Sequence, residues 1–471
     1  MATAPQTETA SAVGTISQIL ANFADELTYD DIPADVRERA KYLILDAVGI
    51  AMASTCYPFS DAILAGIQAV GEPGNLPVIG MKERLGMRDS VLMNGALVHG
   101  LDYDDTHMES VVHATAVTMP AALVVAAREG ASGRDLLTAY IVGMEAAIRI
   151  GEAPKVGFHQ RGYHATGVVG HFASSLVAGK LLGLDATQLA VAQGIAGSTA
   201  MASMEFVEDG AWNKRIHPGW AGVAGIMAAG QAKHGFVAPS KPYEGRYGIF
   251  KTHLADLDRD ADYDAVTDRL GKRWAVVESA IKPYPSCHFT HAIADSALAL
   301  RERHGIEADN IARVRALIPE DTVPVIAEPV ANKKRPASDY DAKFSTHFIT
   351  AACFERGKFG LAELEDEALN DPAILALADK VEFEIDPKSE FPRYFSGGMV
   401  VTTKDGGEFV HHERINRGAG ERALSGEEIV NKFTDNALMA ATADKAAAVK
   451  ELVLDLDGSD AKILAEGLAA D

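Results

Sequence analysis

RWAVVESAIKPYP, residues 273–285, is where the chain changes character. The residues ahead of it, 15–270, read as one helix after another. DDIPADVRERAKYLILDAVGIAMAS (30–54) has a start signal at Pro33, then apolar residues at helical spacing: Val36, Ala40, Leu43, Ile44, Ala47 and Val48. GRDLLTAYIVGMEAAIRIG (133–151) reads as another helix, and LDATQLAVAQGIAGS (184–198) opens on a capping box, Asp185 with Gln188 three residues on. Residues 165–235 are rich in Ala, Gly and Ser. Small side chains let helix axes approach closely, so a tightly packed, buried helical layer is expected there.

RWAVVESAIKPYP itself reads as a strand or extended segment, and the chain beyond it mixes two periods. Residues 290–304 and a segment around 341–357 read as helices, and IARVRALIP (311–319) as a strand. KVEFEID (380–386), GGMVVTT (397–403) and EFVHHER (408–414) alternate with period two, the last pair across a KDGG turn. ALSGEEIVNKFTDNA (423–437) returns to helix behind a second capping box, Ser425 with Glu428, and residues 435–465 stay helical. The expected fold is mainly α. A large all-helical domain, residues 1–270 plus the C-terminal segment 411–471, carries an inserted smaller α+β lid domain, 271–410.

A formal net charge of −22, from 44 basic and 66 acidic residues, argues against nucleic acid and anionic membrane surfaces, which both need a basic face. It leaves room for a small anionic substrate held in a local basic pocket. Cys56, Cys287 and Cys353 are too few and too far apart for a disulfide framework or a zinc motif. The most apolar run, GVVGHFASSLVAGKLLG (167–183), carries His171 and Lys180, short of the roughly 18 uncharged residues of a membrane span. MATAPQTETASAVG (1–14) has no basic stretch followed by an apolar one, and reads as a short disordered lead; a cytoplasmic protein is expected.

Four stretches carry chemistry. NGALVHGLDYDDTHMESVVHATA (94–116) gathers three histidines and several carboxylates, among them Asp102, Asp104, Asp105, His107, Glu109 and His113. These six could hold a metal, which is one reading, although their spacing matches no strong metal signature. A solvated loop capping the helix VTMPAALVVAARE (117–129) is a second reading of the stretch. An acid–base site, with His113 or His107 as proton carrier and a carboxylate orienting it, is another. FHQRGYHATG (158–167) sets His164 just before a helix, whose free N–H groups favour anions. EDGAWNKRIHPGWAG (208–222) places Lys214, Arg215 and His217 ahead of a Pro-Gly turn into a small-residue helix, a combination suited to carboxylates. AIKPYPSCHFTHAI (280–293) holds Lys282 among prolines, followed by Cys287, His288 and His291; a thiol mechanism is disfavoured because adjacent residues rarely reach one reacting atom. No phosphate-binding glycine loop and no nucleophile elbow accompany them. The inventory suits a cofactor-free site for a small polycarboxylate, with cations binding carboxylates and a His or Asp moving a proton beside them.

HGLDYDDTH, YHATG, NKRIHPGWA and IKPYPSCHFTH, in this order and at these intervals, resemble the MmgE/PrpD family, whose members include 2-methylcitrate dehydratase, cis-aconitate decarboxylase and iminodisuccinate epimerase. The resemblance runs from DDIPADVRERAKYLILDAVGIAMA through YEGRYGIF (243–250) to ALSGEEIVNKF. It implies a helical domain with an inserted α+β lid, a homodimer, a cleft between the domains and no metal or organic cofactor. It implies His113 as proton carrier and Asp102 as its orienting group or an alternative base. It also implies Lys214, Lys282 and His164 as groups that bind or polarise carboxylates, with Thr106, Arg215, His217, His107 and His288 completing the substrate-binding set. The DDxHxExxxH spacing is closer to fungal-type cis-aconitate decarboxylases than to the dehydratases. ANKKRPASDYDAKFS (331–345) offers only Tyr340, out of register with a lid tyrosine that some decarboxylases use. The expected activity is that of a lyase acting on a small di- or tricarboxylate; the alternative is an epimerase of an amino- or imino-dicarboxylate, with histidines of the first two motifs as its two proton donors. Lys282, at the start of the smaller domain, suggests that bound carboxylates draw the lid closed.

Overall fold

The computed structural model describes residues 14–470, so the lead read at the N-terminus lies outside the described residues but for Gly14. The fold is mainly α. Helix Ala34–Ser54 starts directly after Pro33 and buries all six apolar residues picked out by their spacing. Both capping boxes form: Asp185 Oδ1 accepts from the Gln188 amide while Gln188 Oε1 accepts from the Asp185 amide, and Ser425 and Glu428 repeat the exchange. Each such cap is worth about 1 kcal/mol.

The small-residue layer is formed by helix Asn213–Lys233 lying against Ala165–Leu181 and Met87–His99. Gly95 and Gly219 let two of these helices approach closely, since a Cβ on Gly95 would stand 2.6 Å from the Gly219 Cα. The sequence reading is corrected at the start of this helix. Residues 213–219 are helical rather than a loop with a Pro-Gly turn, and Pro218 lies inside the helix. Pro218 has no N–H for the Lys214 carbonyl, so one helical bond is forgone. Lys214, Arg215 and His217 therefore project from a packed helix.

Residues 273–285 make one 3-10 turn, Ala275–Glu278, and a single antiparallel bridge between Ala280 and Thr106 rather than a strand. Pro283 and Pro285 cannot donate to a ladder, which keeps this segment out of the sheet. The four-stranded sheet has the order Val381–Ile385, Ile311–Ile318, Gly397–Thr403, Glu408–Glu413. Its first pair is parallel and the others are antiparallel, with Val400 opposite Val410 in the hairpin.

Two large buried cores result. One draws on residues 16–281 and again on 424–468; the other draws on residues 284–401, with Phe206 reaching into it. The chain passes between them twice, near 281–283 and near 415–420. The two passages touch at Gly418, whose φ is +95° and where a Cβ would stand 2.2 Å from the Ile281 carbonyl oxygen. Only glycine meets both conditions. Among the described residues no single helix is long and apolar enough to cross a bilayer.

Candidate active site

The loop from Leu101 to His113 joins helix Met87–His99 to helix Ala114–Glu129. It is buried almost throughout, not solvated. Asp102 adopts φ +51° and Val111 φ +52°; aspartate tolerates this left-handed region, whereas a β-branched residue is strained in it. The Asp102 carboxylate accepts from two ammonium groups. Lys214 Nζ lies 3.0 Å from both oxygens, and Lys282 Nζ lies 2.7 Å from Oδ1 and 2.8 Å from the Asp102 carbonyl oxygen. Burial alone would raise this carboxyl; Lys214 and Lys282 outweigh it and hold the group well below the usual range.

His113 Nδ1 lies 2.9 Å from the Asp105 carbonyl oxygen and 3.2 Å from Thr106 Oγ1. A carbonyl only accepts, so this geometry assigns the proton to Nδ1 and leaves a lone pair on Nε2. Burial drives the His113 imidazole well below its usual range, with Lys282 and Lys214 adding to the effect and the Asp104 carboxylate opposing it. His164 caps helix Ala165–Leu181; its Nδ1 is 3.2 Å from His217 Nδ1, and its Nε2 is buried without a partner. Burial first, then Lys214, holds His164 low in the same way.

Asp102, His113, His164 and Lys214 line a cavity together with His159 and Thr106. The rest of the lining is largely apolar and aromatic, with Phe206, Phe289, Phe344 and Phe395 among its residues. Asp102, Thr106, His113, His159, His164 and Lys214 come from segments 102–214 and Phe289, Phe344 and Phe395 from segments 287–395, so the cavity lies where the two cores meet. His288 also lines it. Its Nε2 accepts from Asn416 Nδ2 at 2.6 Å, and Phe395 stands edge-on to its ring.

Of the residues singled out in the sequence, Asp102, Thr106, His113, His164, Lys214 and His288 line the cavity, and Lys282 braces Asp102. His217 backs His164. Two are placed elsewhere. Arg215 donates to the Gly100 carbonyl and to Asp339, and is sandwiched by Phe59 and Tyr340 at 4.2 and 4.1 Å. It pins the two cores together, and Tyr340 is spent on it. His107 sits with Ser110, Glu152 and Glu278 beside a separate surface pocket. Cys287 reaches the cavity, but burial pushes its thiol up, away from a reactive thiolate.

Sequence reasoning gave no role to His99, His159 or the aromatic lining, and named Asp104 only among the carboxylates of its loop. His99 Nδ1 lies 2.9 and 3.0 Å from the two Asp104 oxygens, and its ring packs on those of His113 and His164 at 4.8 and 5.5 Å between centroids. The acidic run drew attention to this loop, but no periodicity marks which of its carboxylates turns to which ring. Nitrogens of His99, His113 and His164 lie within 4.8 Å of one another, close enough for one transition-metal ion to bridge. The adjoining carboxylates are already engaged, Asp102 by two lysines and Asp104 by His99.

The MmgE/PrpD N-terminal and C-terminal domain models match residues 18–261 and 284–458. The chain belongs to the MmgE/PrpD family. The boundary between the two matches falls at the passage from one core to the other. Over 460 residues, 95% of each chain, the family member is 27% identical to the cis-aconitate decarboxylase-like protein oryM of Aspergillus oryzae. It is 28% identical to a cis-aconitate decarboxylase of Aspergillus terreus over 96% of this chain and 95% of that one. With the cis-aconitate decarboxylase of Homo sapiens it shares 26% identity over 90% of this chain and 88% of the other.

Proposed function

We propose that this protein is a cofactor-independent lyase that decarboxylates a small unsaturated di- or tricarboxylate of the cis-aconitate type. The observation that carries this reading is a cavity lined both by lysine and histidine side chains and by a set of aromatic ones. A carboxylate that leaves as CO2 loses its charge, and apolar surroundings favour that loss; the carboxylates that stay gain from fixed cations. The three relatives named above support the same class.

In such a reaction the C–C bond to the departing carboxylate breaks. Its electron pair forms a new C=C bond, the old double bond shifts its pair onto the far carbon, and that carbon takes a proton. Lys214 and Lys282 stabilise the negative charge that develops on the neighbouring carboxylate. His113, with Nδ1–H fixed on the Asp105 carbonyl, presents Nε2 as the proton carrier. His164 polarises a second carboxylate. Asp102, ionised and tied to two ammonium groups, positions those cations and is a poor base.

The segment around 271–410 acts as the lid, with Lys282 at its root. The exposed stripe Trp220 and Met227 on helix Asn213–Lys233, continued by Met201 and Phe236, supports a homodimer formed on this face. The acidic composition, and the lack among the described residues of a single helix long and apolar enough to cross a bilayer, support a cytoplasmic location. The test is CO2 release from cis-aconitate, 2-methylcitrate, citrate and iminodisuccinate by the purified protein and by His113→Asn. Release by the wild type alone supports the reading; loss of water without CO2, or no turnover of any acid, contradicts it.

A further inference from the structure

A decarboxylation that re-protonates carbon consumes one proton per turnover, and an imidazole in this cavity has to carry it. The surroundings work against that. His99, His113, His159, His164 and His217 lie together, with Lys214 and Lys282 among them, and burial adds to the cost of an imidazolium. Two ionised carboxylates stand against these cations. Asp102 is fully engaged by the two lysines.

Asp104 is placed differently. It is wholly buried, and among the described residues its only hydrogen-bond donor is His99 Nδ1. Its Oδ2 also lies 3.7 Å from His113 Nδ1, too long for a hydrogen bond and close enough for strong charge interaction in a buried site. Among the described residues the His99 ring makes no other hydrogen bond, its Nε2 being buried without a partner, and it stacks on the His164 ring at an interplanar angle of 20°. We propose that Asp104, with His99 held on it, is a positioning pair that supplies the counter-charge for the protonated form of His113, so that this ring can deliver its proton to carbon.

The groups that face His113 can be named from each side. Its own loop brings Asp102, Asp104, Thr106 and the Asp105 carbonyl; the preceding helix brings His99. The helix starting at Ala165 brings Thr166 and His164, the helix starting at Asn213 brings Lys214, and the segment 282–288 brings Lys282 and His288. The Asp105 carboxyl turns to Thr115 instead and is held protonated up to about pH 7 by burial and by Asp104. Asp104 is thus the one carboxylate beside His113 that no lysine neutralises by direct contact. Burial opposes its ionisation, yet His99 and His113 hold its carboxyl at about 2.

This inference rests on the decarboxylase reading of the cavity. Its test is Asp104→Asn, which keeps the shape and an oxygen to accept from His99 Nδ1–H while removing the charge. In pH–rate profiles of CO2 release, kcat is expected to fall by about tenfold or more with KM within about threefold. The limb on which activity declines with rising pH is expected to move down by about one unit or more, because His113 then gives up its proton earlier. A wild-type profile in the variant overturns the inference, and so does a lower kcat with that limb unmoved, which marks a merely structural residue. Should Asp104→Asn not fold, Asp104→Glu keeps the charge: a limb held in place with reduced kcat supports the pair, and one displaced downward by about a unit overturns it. Wild-type protein that releases no CO2 from any acid fails the decarboxylase reading itself, whereas wild-type turnover with an indifferent Asp104→Asn fails this inference alone.

Discussion

Substituting Asn for Asp102 tests the cationic clamp directly. Lys282 is 0% exposed and Lys214 5% exposed, so neither ammonium can swing into water when its anion is removed. Breaking a buried ion pair by deleting one partner costs about 3–5 kcal/mol. An unfolding entropy of roughly 2.1 cal/mol/K per residue over 471 residues makes each degree worth about 1 kcal/mol, so Tm should drop by about 3–5 °C. A carboxylate ligand replaces the missing anion. Itaconate or cis-aconitate at saturating concentration should therefore raise the Tm of Asp102→Asn by more than that of the wild type. Differential scanning fluorimetry at neutral pH, with and without ligand, reads both effects. A variant Tm within about 1 °C of wild type, or equal ligand shifts in the two proteins, refutes the account of Lys214 and Lys282 as cations held ready for a carboxylate.

His113→Asn should lower kcat by about 10²–10⁴-fold with a much smaller change in KM, measured by CO2 release. Asp105 predicts a pH-dependent stability. Its folded value of about 7 lies above the ordinary 3.8, so the group costs nothing below pH 4 and destabilises increasingly as pH rises towards 7. Asp105→Asn should gain stability between pH 5 and pH 8, by at most about 4 kcal/mol, in urea unfolding; an equal effect at both pH values contradicts this. Prolonged EDTA treatment should leave turnover unchanged, and loss restored by a transition metal would point to the His99, His113 and His164 nitrogens. Trp220→Glu combined with Met227→Glu should convert a dimer to a monomer in sedimentation velocity if helix Asn213–Lys233 is the contact face.

The helical part of the fold was legible because its signals are local: a proline start, capping residues and a buried stripe of period 3.6. The hairpin before Arg414 was legible for the same reason. Residues 273–285 were not, because an apolar run interrupted by prolines has the composition of a strand without the free N–H groups of one. At the site, the ordered motifs brought out Asp102, His113, His164, Lys214 and Lys282. Arg215 and His107 carry equally suggestive side chains, but only tertiary packing turns one to Asp339 and the other to Glu278. His99 escaped notice because a histidine near a helix end has many ordinary uses. Its meaning depends on a loop that turns at Asp102 and brings Asp104 back beneath it. The aromatic lining comes from residues nearly 200 positions apart, Phe206 to Phe395, and no local pattern joins them.

The most direct test of the central claim is proton NMR of cis-aconitate incubated with the purified protein in D2O. The account predicts the paired terminal olefinic signals of itaconate, with one deuterium in its methylene group from the proton delivered to carbon. Unchanged cis-aconitate, or conversion without loss of a carboxylate, contradicts it.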